Sequence, residues 1–126
     1  MTDLFQDMID KPFEKYSSGP DTYDCYGVCE EASRRLGKPI PVWKEMAANT
    51  AEAIRKCKDL FVKVDRPEPG DIIMFRAFRE DPHFAIVINK TEFLHVSERT
   101  HGVKRISLSH PVYKLRMIGF YRYVGL

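Results

Sequence analysis

No uninterrupted aliphatic or aromatic run in this chain exceeds five residues, Phe84 to Ile88, so nothing in it reads as a membrane span. A secretory leader is missing too. The opening MTDLFQDMIDKPFEK is acidic where a leader is basic, and no small-residue cleavage site follows a hydrophobic stretch, so the expectation is synthesis in the cytoplasm without a signal peptide. Charge of one sign is also lacking. Twenty Lys and Arg against 18 Asp and Glu leave +2, which excludes a polybasic nucleic-acid binder, and no nucleic-acid partner is expected. Cysteine is scarce and odd in number. With no leader, Cys25, Cys29 and Cys57 do not make a disulfide framework, and each thiol needs packing, metal ligation or reactivity to explain it. Acid is absent altogether after Glu98, against six bases: Arg99, Lys104, Arg105, Lys114, Arg116 and Arg122. A solvated basic face is the plain reading of that stretch, and contact with an anionic polymer the sharper one.

What is present suits one compact core. Forty-four per cent of the 126 residues are apolar and 12% aromatic, and the length leaves room for a single domain, 1–126. Residues 1–10 place Leu4, Phe5, Met8 and Ile9 on one side of a short helix that Pro12 ends. SSGPD, residues 17–21, is turn chemistry. Asp24 then caps the best-formed helix, whose apolar side is Cys25, Val28, Cys29, Ala32 and Leu36. Arg34 and Arg35 fall in its last turn, and Gly37 stops it. Residues 44–58, rich in Ala, Glu and Lys, read as another helix. From Leu60 the period changes. LFVKVD, DIIMFRAF, HFAIVIN, EFLHVS, VKRISL and MIGFYRYV are short β-branched and aromatic runs between turn-rich segments, SHPVYK among them. Helices followed by strands predict an α+β fold, with N-terminal helices packed on a mostly antiparallel sheet of five to six strands joined by hairpins.

Cys25 is the residue that chemistry singles out. It falls in the first turn of the best helix, where unpaired backbone N–H groups and the macrodipole favour a negative charge. A thiolate there is the nucleophilic form, with its pKa lowered, and the same N–H groups can serve an oxyanion. Cys29 and Cys57 read as buried small hydrophobes. Four histidines are available as a base. His83 opens the most apolar strand and His95 lies in the next; a turn around Lys90-Thr91 sets 83 roughly opposite 97 or 98, with 95 nearby. Cys25, His83 and His95 thereby form a nucleophile, a base and a residue that orients the base. His101 and His110 read as loop residues.

At this point the sequence resembles the NlpC-type cell-wall cysteine peptidases. PFEKYSSGPDTYDCYG is similar to their Pro-Tyr…Asp-Cys-Ser-Gly block, PEPGDIIMF to their Pro-Gly-Asp strand, HFAIVI to their His-Val-Gly-Ile strand, and EFLHVSERTHGV to their Phe-x-His-Ala-Ser…Gly-Val hairpin. The resemblance runs from Pro12 to Tyr123 in the family's order. It implies a papain-like fold that hydrolyses an amide in peptidoglycan stem peptides, commonly the D-γ-glutamyl–diaminopimelate bond, with Cys25, His83 and His95 in the catalytic positions. It implies no cofactor and no metal. Small members of this kind are similar to tail-associated peptidases of phages, which implies assembly into a virion tail and phage tail proteins as partners. Tyr26 stands where the family has a small Ser, Phe84-Ala85 where it has Val-Gly, and Phe13 where members often carry an oxyanion-assisting Tyr. Asp24, Tyr26, Tyr16 and Tyr23 are therefore the candidates for the oxyanion site and substrate cleft.

Other readings stay open on the sequence: a catalytically silent structural or binding module of a phage tail, a secreted antibacterial amidase effector, and an acyltransferase using the same Cys–His pair. A zinc site from Cys25, Cys29, His83 and His95 has an uncommon ligand spacing.

Overall fold

Asp24 opens the helix that organises the fold. In the computed structural model, which describes residues 3–41, 60–76, 83–97 and 100–125, helix α1 runs Cys25–Arg35. The Asp24 carboxylate accepts the Gly27 N–H at 2.5 Å, satisfying one of the helix's unpaired donors. Arg34 and Arg35 sit in the last turn, and Gly37 follows at φ +76°, the left-handed stop that glycine takes at no steric cost. Val28, Cys29 and Ala32, three and four apart, are wholly buried.

All six β-branched runs form strands: β1 (Phe61–Val64), β2 (Ile72–Phe75), β3 (His83–Val87), β4 (Glu92–His95), β5 (Lys104–Ser107) and β6 (Met117–Tyr123). They make one sheet in the order β1-β6-β2-β3-β4-β5, antiparallel at every pairing. Strands β2 to β5 form a meander, as hairpins require. The last strand departs from that pattern by returning between β1 and β2, so the whole chain must be in hand before the sheet can close.

Alternation along β3 divides the sheet into two faces. Phe84, Ile86 and Ile88 join α1 in an aliphatic core with Val28, Cys29, Ala32, Leu94 and Val96. Ala85 and Val87 turn the other way, onto Ile73, Phe75 and Phe93, and this second cluster packs against Tyr113. Tyr113 belongs to a one-turn helix α2 (Pro111–Lys114) with Pro111 at its start. SHPVYK, read as a turn from the sequence, thus holds a helix; Pro at the first helical position was its signal.

One other expectation changes. Of the first ten residues, the described ones, 3–10, form a 3-10 turn at Gln6–Met8 and no longer helix, with Phe5 and Met8 buried and Leu4 exposed. The backbone that would have extended a helix is instead paired across to Val103: the Asp10 N–H donates to Val103 O at 2.9 Å and the Val103 N–H to Lys11 O at 3.0 Å. Three bases of the acid-free stretch find acids from elsewhere in the chain. Lys104 pairs with Asp10, Arg105 with Asp3, and Arg122 clasps the buried Asp71 carboxylate at 2.9 and 2.8 Å. The helix expected at 44–58, with Cys57, and Arg99 lie outside the described residues.

Candidate active site

The loop before α1 fixes Cys25 by laced backbone bonds. The Tyr23 N–H donates to Pro12 O at 3.0 Å, the Glu14 N–H to Tyr23 O at 3.1 Å and the Asp24 N–H to Ser17 O at 2.8 Å. Asp24 reaches back to accept the Tyr16 N–H at 2.9 Å as well as the Gly27 N–H. The helix start lies so close under this loop that a Cβ at Gly27 would run into the Ser17 carbonyl oxygen and sit 2.9 Å from the Ser18 Cα.

Cys25 is half-buried at the first position of α1, a free thiol beside the aliphatic core. Its sulfur meets the backbone N–H of Phe84, one residue past His83. Burial pushes the thiol up to about 11, and the Asp24 carboxylate adds to the rise; the Phe84 N–H, which favours thiolate, offsets only part of it. This reverses the expectation of a lowered thiol pKa. The helix end does offer its dipole, but Asp24 has taken up a first-turn N–H and brings a negative charge of its own, and the site is dry. Burial also raises Asp24, against the Gly27, Tyr16 and Tyr26 N–H groups that favour its ionised form.

His83 and His95 come together. The β3–β4 register pairs Ile86 with Leu94 and Val87 with Phe93; continued along the strands it sets 83 opposite 97 and Ala85 opposite His95. The rings meet edge-on at 4.4 Å between centroids, with their Nε2 atoms hydrogen-bonded to each other. Phe75 packs at 5.8 Å from His83 and 6.1 Å from His95, Phe93 at 6.4 Å and Tyr113 at 5.3 Å from His95. His95 is 3% exposed, and its Nδ1 is buried with no hydrogen-bond partner among the described residues. Burial, with Arg116 nearby, lowers His83 to about 4; burial, then the charge of His83 and Arg116, lowers His95 to about 3. Both rings are therefore neutral at neutral pH. Among the described residues no hydrogen bond joins the Cys25 thiol to either ring; the thiol comes to the Phe84 N–H beside the α1-covered core, while both rings pack among the aromatic side chains that include Tyr113.

The remaining candidates have local partners. Asp24 is the helix cap. Tyr26 is buried, its hydroxyl donates to Pro41 O at 2.7 Å and its ring meets Phe84 at 5.8 Å, so it ties the helix down and has spent its proton. Tyr23 is buried with its ring against Gly19, and burial, with Glu31 close by, raises its phenol. Tyr16 is 64% exposed at φ +68°, with the Lys15 ammonium 5.3 Å from its ring. Cys29 is buried and its thiol donates to the Cys25 carbonyl at 3.3 Å. His101 is exposed beside a depression of about 390 Å³ lined by Phe13 and Gly102. What sequence reasoning missed is the aromatic wall behind the imidazoles. Phe75 was visible as a strand residue, but its neighbour Tyr113 lay in a presumed turn.

A six-stranded antiparallel sheet, a helix bearing a cysteine at its first position and a paired-histidine hairpin define a papain-like α+β protein. The chain belongs to the NlpC/P60 family, whose profile matches residues 10–122; the family is one of cysteine peptidases and amidases. Its fold is similar to that of a lipoprotein-like NLP/P60 protein from Staphylococcus aureus (18% identity, TM-score 0.66, 98% of this chain and 39% of that one). It is similar also to NlpC2 from Trichomonas vaginalis (21%, 0.68, 95% and 44%) and to the NlpC/p60 domain of the peptidoglycan hydrolase SagA (17%, 0.61, 96% and 93%). The chain spans less than half of the first two. No curated protein sequence matches it. No helix among the described residues is long and apolar enough to cross a membrane.

Proposed function

We propose that this protein is a cysteine peptidase that hydrolyses an amide bond of peptidoglycan stem peptides, the D-γ-glutamyl–diaminopimelate bond in the first instance. The observation that carries the reading is the thiol at the start of α1 against the Phe84 N–H, one residue from the bonded His83–His95 pair. The reading needs the thiol to come to Nδ1 of His83, the nitrogen that the Nε2–Nε2 bond leaves open.

With the thiol near 11 and the imidazole near 4, the proton rests on sulfur, and its transfer belongs to the attack itself. Sulfur bonds to the amide carbon as the thiol proton passes to His83, and the Cys25 backbone N–H holds the oxyanion. Protonated His83 returns that proton to the leaving amine. Neutral His83 then takes a proton from water, whose oxygen attacks the thioester, and the thiol is restored when that proton reaches sulfur. His95 orients His83 throughout.

Mass spectrometry of purified muropeptides incubated with the protein tests this directly. New fragments are expected from the wild type, with masses that identify the bond, and Cys25→Ala should cut their rate by roughly 10⁴-fold or more. Folded wild type that leaves muropeptides intact would instead favour a silent binding module. The rate should also be flat from about pH 5.5 to 9, because neither partner titrates there; a poised thiolate–imidazolium pair would place a limb inside that window. The setting we favour is a phage tail, on the likeness of a 126-residue NlpC-type chain to small tail-associated members. Detection of the chain in purified virions checks it; a secreted antibacterial amidase would be absent from them.

A further inference from the structure

We propose that Tyr113 of α2 is a positioning residue that holds His95 in its Nδ1–H tautomer and thereby leaves Nδ1 of His83 bare to act as the base. A neutral imidazole carries one N–H and one lone pair, so the bond between the two Nε2 atoms holds a single proton. If His95 supplies it, His83 accepts on Nε2, must carry its own proton on Nδ1, and has no nitrogen left to take one from the thiol. If His83 supplies it, Nδ1 of His83 is free, and His95 must carry its proton on Nδ1. The competent arrangement of the base therefore requires an N–H at the one buried atom of the pair that has no oxygen or nitrogen partner.

That atom belongs to a ring walled by aromatic side chains. Tyr113 is the nearest carbon ring, 5.3 Å away and inclined at 72°, against 6.1 Å for Phe75 and 6.4 Å for Phe93. The electron-rich face of an aromatic ring attracts an N–H edge and repels a lone pair. A bare Nδ1 in this wall would have no donor among the described residues, whereas an N–H can be met by an aromatic face, and Tyr113 is the nearest such ring in an edge-to-face arrangement. Among the described residues, the charged and titratable neighbours of the pair are Arg116 and the two rings themselves, with His110 on Tyr113 at 5.1 Å. None of them supplies Nδ1 with a hydrogen bond. Through α2, a segment that never touches the thiol sets which nitrogen of His83 faces it.

The role rests on the amide hydrolysis proposed above, but the tautomer does not, and it can be read without substrate. Long-range proton–nitrogen NMR of the full ¹⁵N-labelled chain at pH 7.5 should show His95 protonated at Nδ1 in the wild type and in Tyr113→Phe, which keeps the ring face. Tyr113→Leu should shift a measurable share of His95 to Nε2–H and lower kcat about tenfold with KM unchanged. An Nε2–H His95 in the wild type overturns the proposal, and so does a Tyr113→Leu protein with unchanged tautomer and kcat. Loss of the tautomer in Tyr113→Phe would assign the effect to the hydroxyl and overturn it equally. Should Tyr113→Leu not fold, the first two spectra decide. A wild type that shows the tautomer but cuts no muropeptide would sink the proposed reaction and leave the inference standing.

Discussion

The sheet face covered by α1 seats the helix that carries the thiol, while the opposite face, under α2, holds the two imidazoles. On the first, Val28, Ala32, Phe84, Ile86 and Leu94 let a helix settle closely onto the strands, and Cys25 is carried to the Phe84 N–H by backbone alone. On the second, Phe75, Phe93 and Tyr113 keep two imidazoles dry and in contact. One face thus sets where the sulfur is, and the other sets how dry the two imidazoles are. The difference follows from what each has to do. Position is a matter of close approach, which small and aliphatic residues permit. Protonation is a matter of dielectric and of what faces each nitrogen, which buried aromatic rings control.

The comparison breaks most sharply at Gly27. Its missing Cβ is what lets the Ser17–Ser18 backbone lie over the helix start. Gly27→Ala should lower the unfolding free energy by about 3 kcal/mol, read from the denaturant midpoint, because both contacts are backbone and cannot swing aside. A loss under about 1 kcal/mol would mean that the loop is not seated as described.

The ring face answers to acid instead. The unfolded chain protonates both histidines near pH 6.5, whereas the folded one refuses protons until about 4 at His83 and about 3 at His95. Between those values the unfolded state binds more protons, so the stability is complete above pH 6.5 and falls as the pH drops toward 4. Urea titrations at pH 7.5 and 5 should differ by about 4 kcal/mol, about 2 from each ring, and His95→Gln should roughly halve that difference. The carboxylates held low by ion pairs, Asp3, Asp7 and Glu31, add their losses only at more acid pH. An equal drop in the His95 variant would remove the rings from the account.

The smallest effect separates structure from chemistry on the α1 face. Tyr26→Phe deletes the bond to Pro41 O and should cost about 1 kcal/mol with turnover unchanged. Lost activity at unchanged stability would instead put the Tyr26 hydroxyl at the oxyanion.

Much of this was legible in the residues themselves. Cap, spacing and stop signals marked α1 because helix ends are satisfied locally, by Asp24 and Gly37. Short β-branched and aromatic runs between turn residues marked all six strands, and the short Lys90-Thr91 turn brought His95 beside His83 because a hairpin fixes its own register. The first ten residues misled for a related reason. Leu4, Phe5, Met8 and Ile9 have helical spacing, but the backbone found its partner at Val103, which no local pattern reveals. The partners of the acid-free C-terminal stretch were hidden for the same reason, since Asp3, Asp10 and Asp71 come from far along the chain to meet Arg105, Lys104 and Arg122.

The sequence by itself determined the elements, the hairpin that joins the two imidazoles and the thiol at the head of α1. All of these rest on contacts between residues close in the chain. Only the tertiary structure decided that β6 lies between β1 and β2, that Tyr113 stands behind His95, and that the thiol and both rings are neutral at rest. Strand order and desolvation depend on which distant surfaces finally meet, and a pKa reads the water that those surfaces exclude.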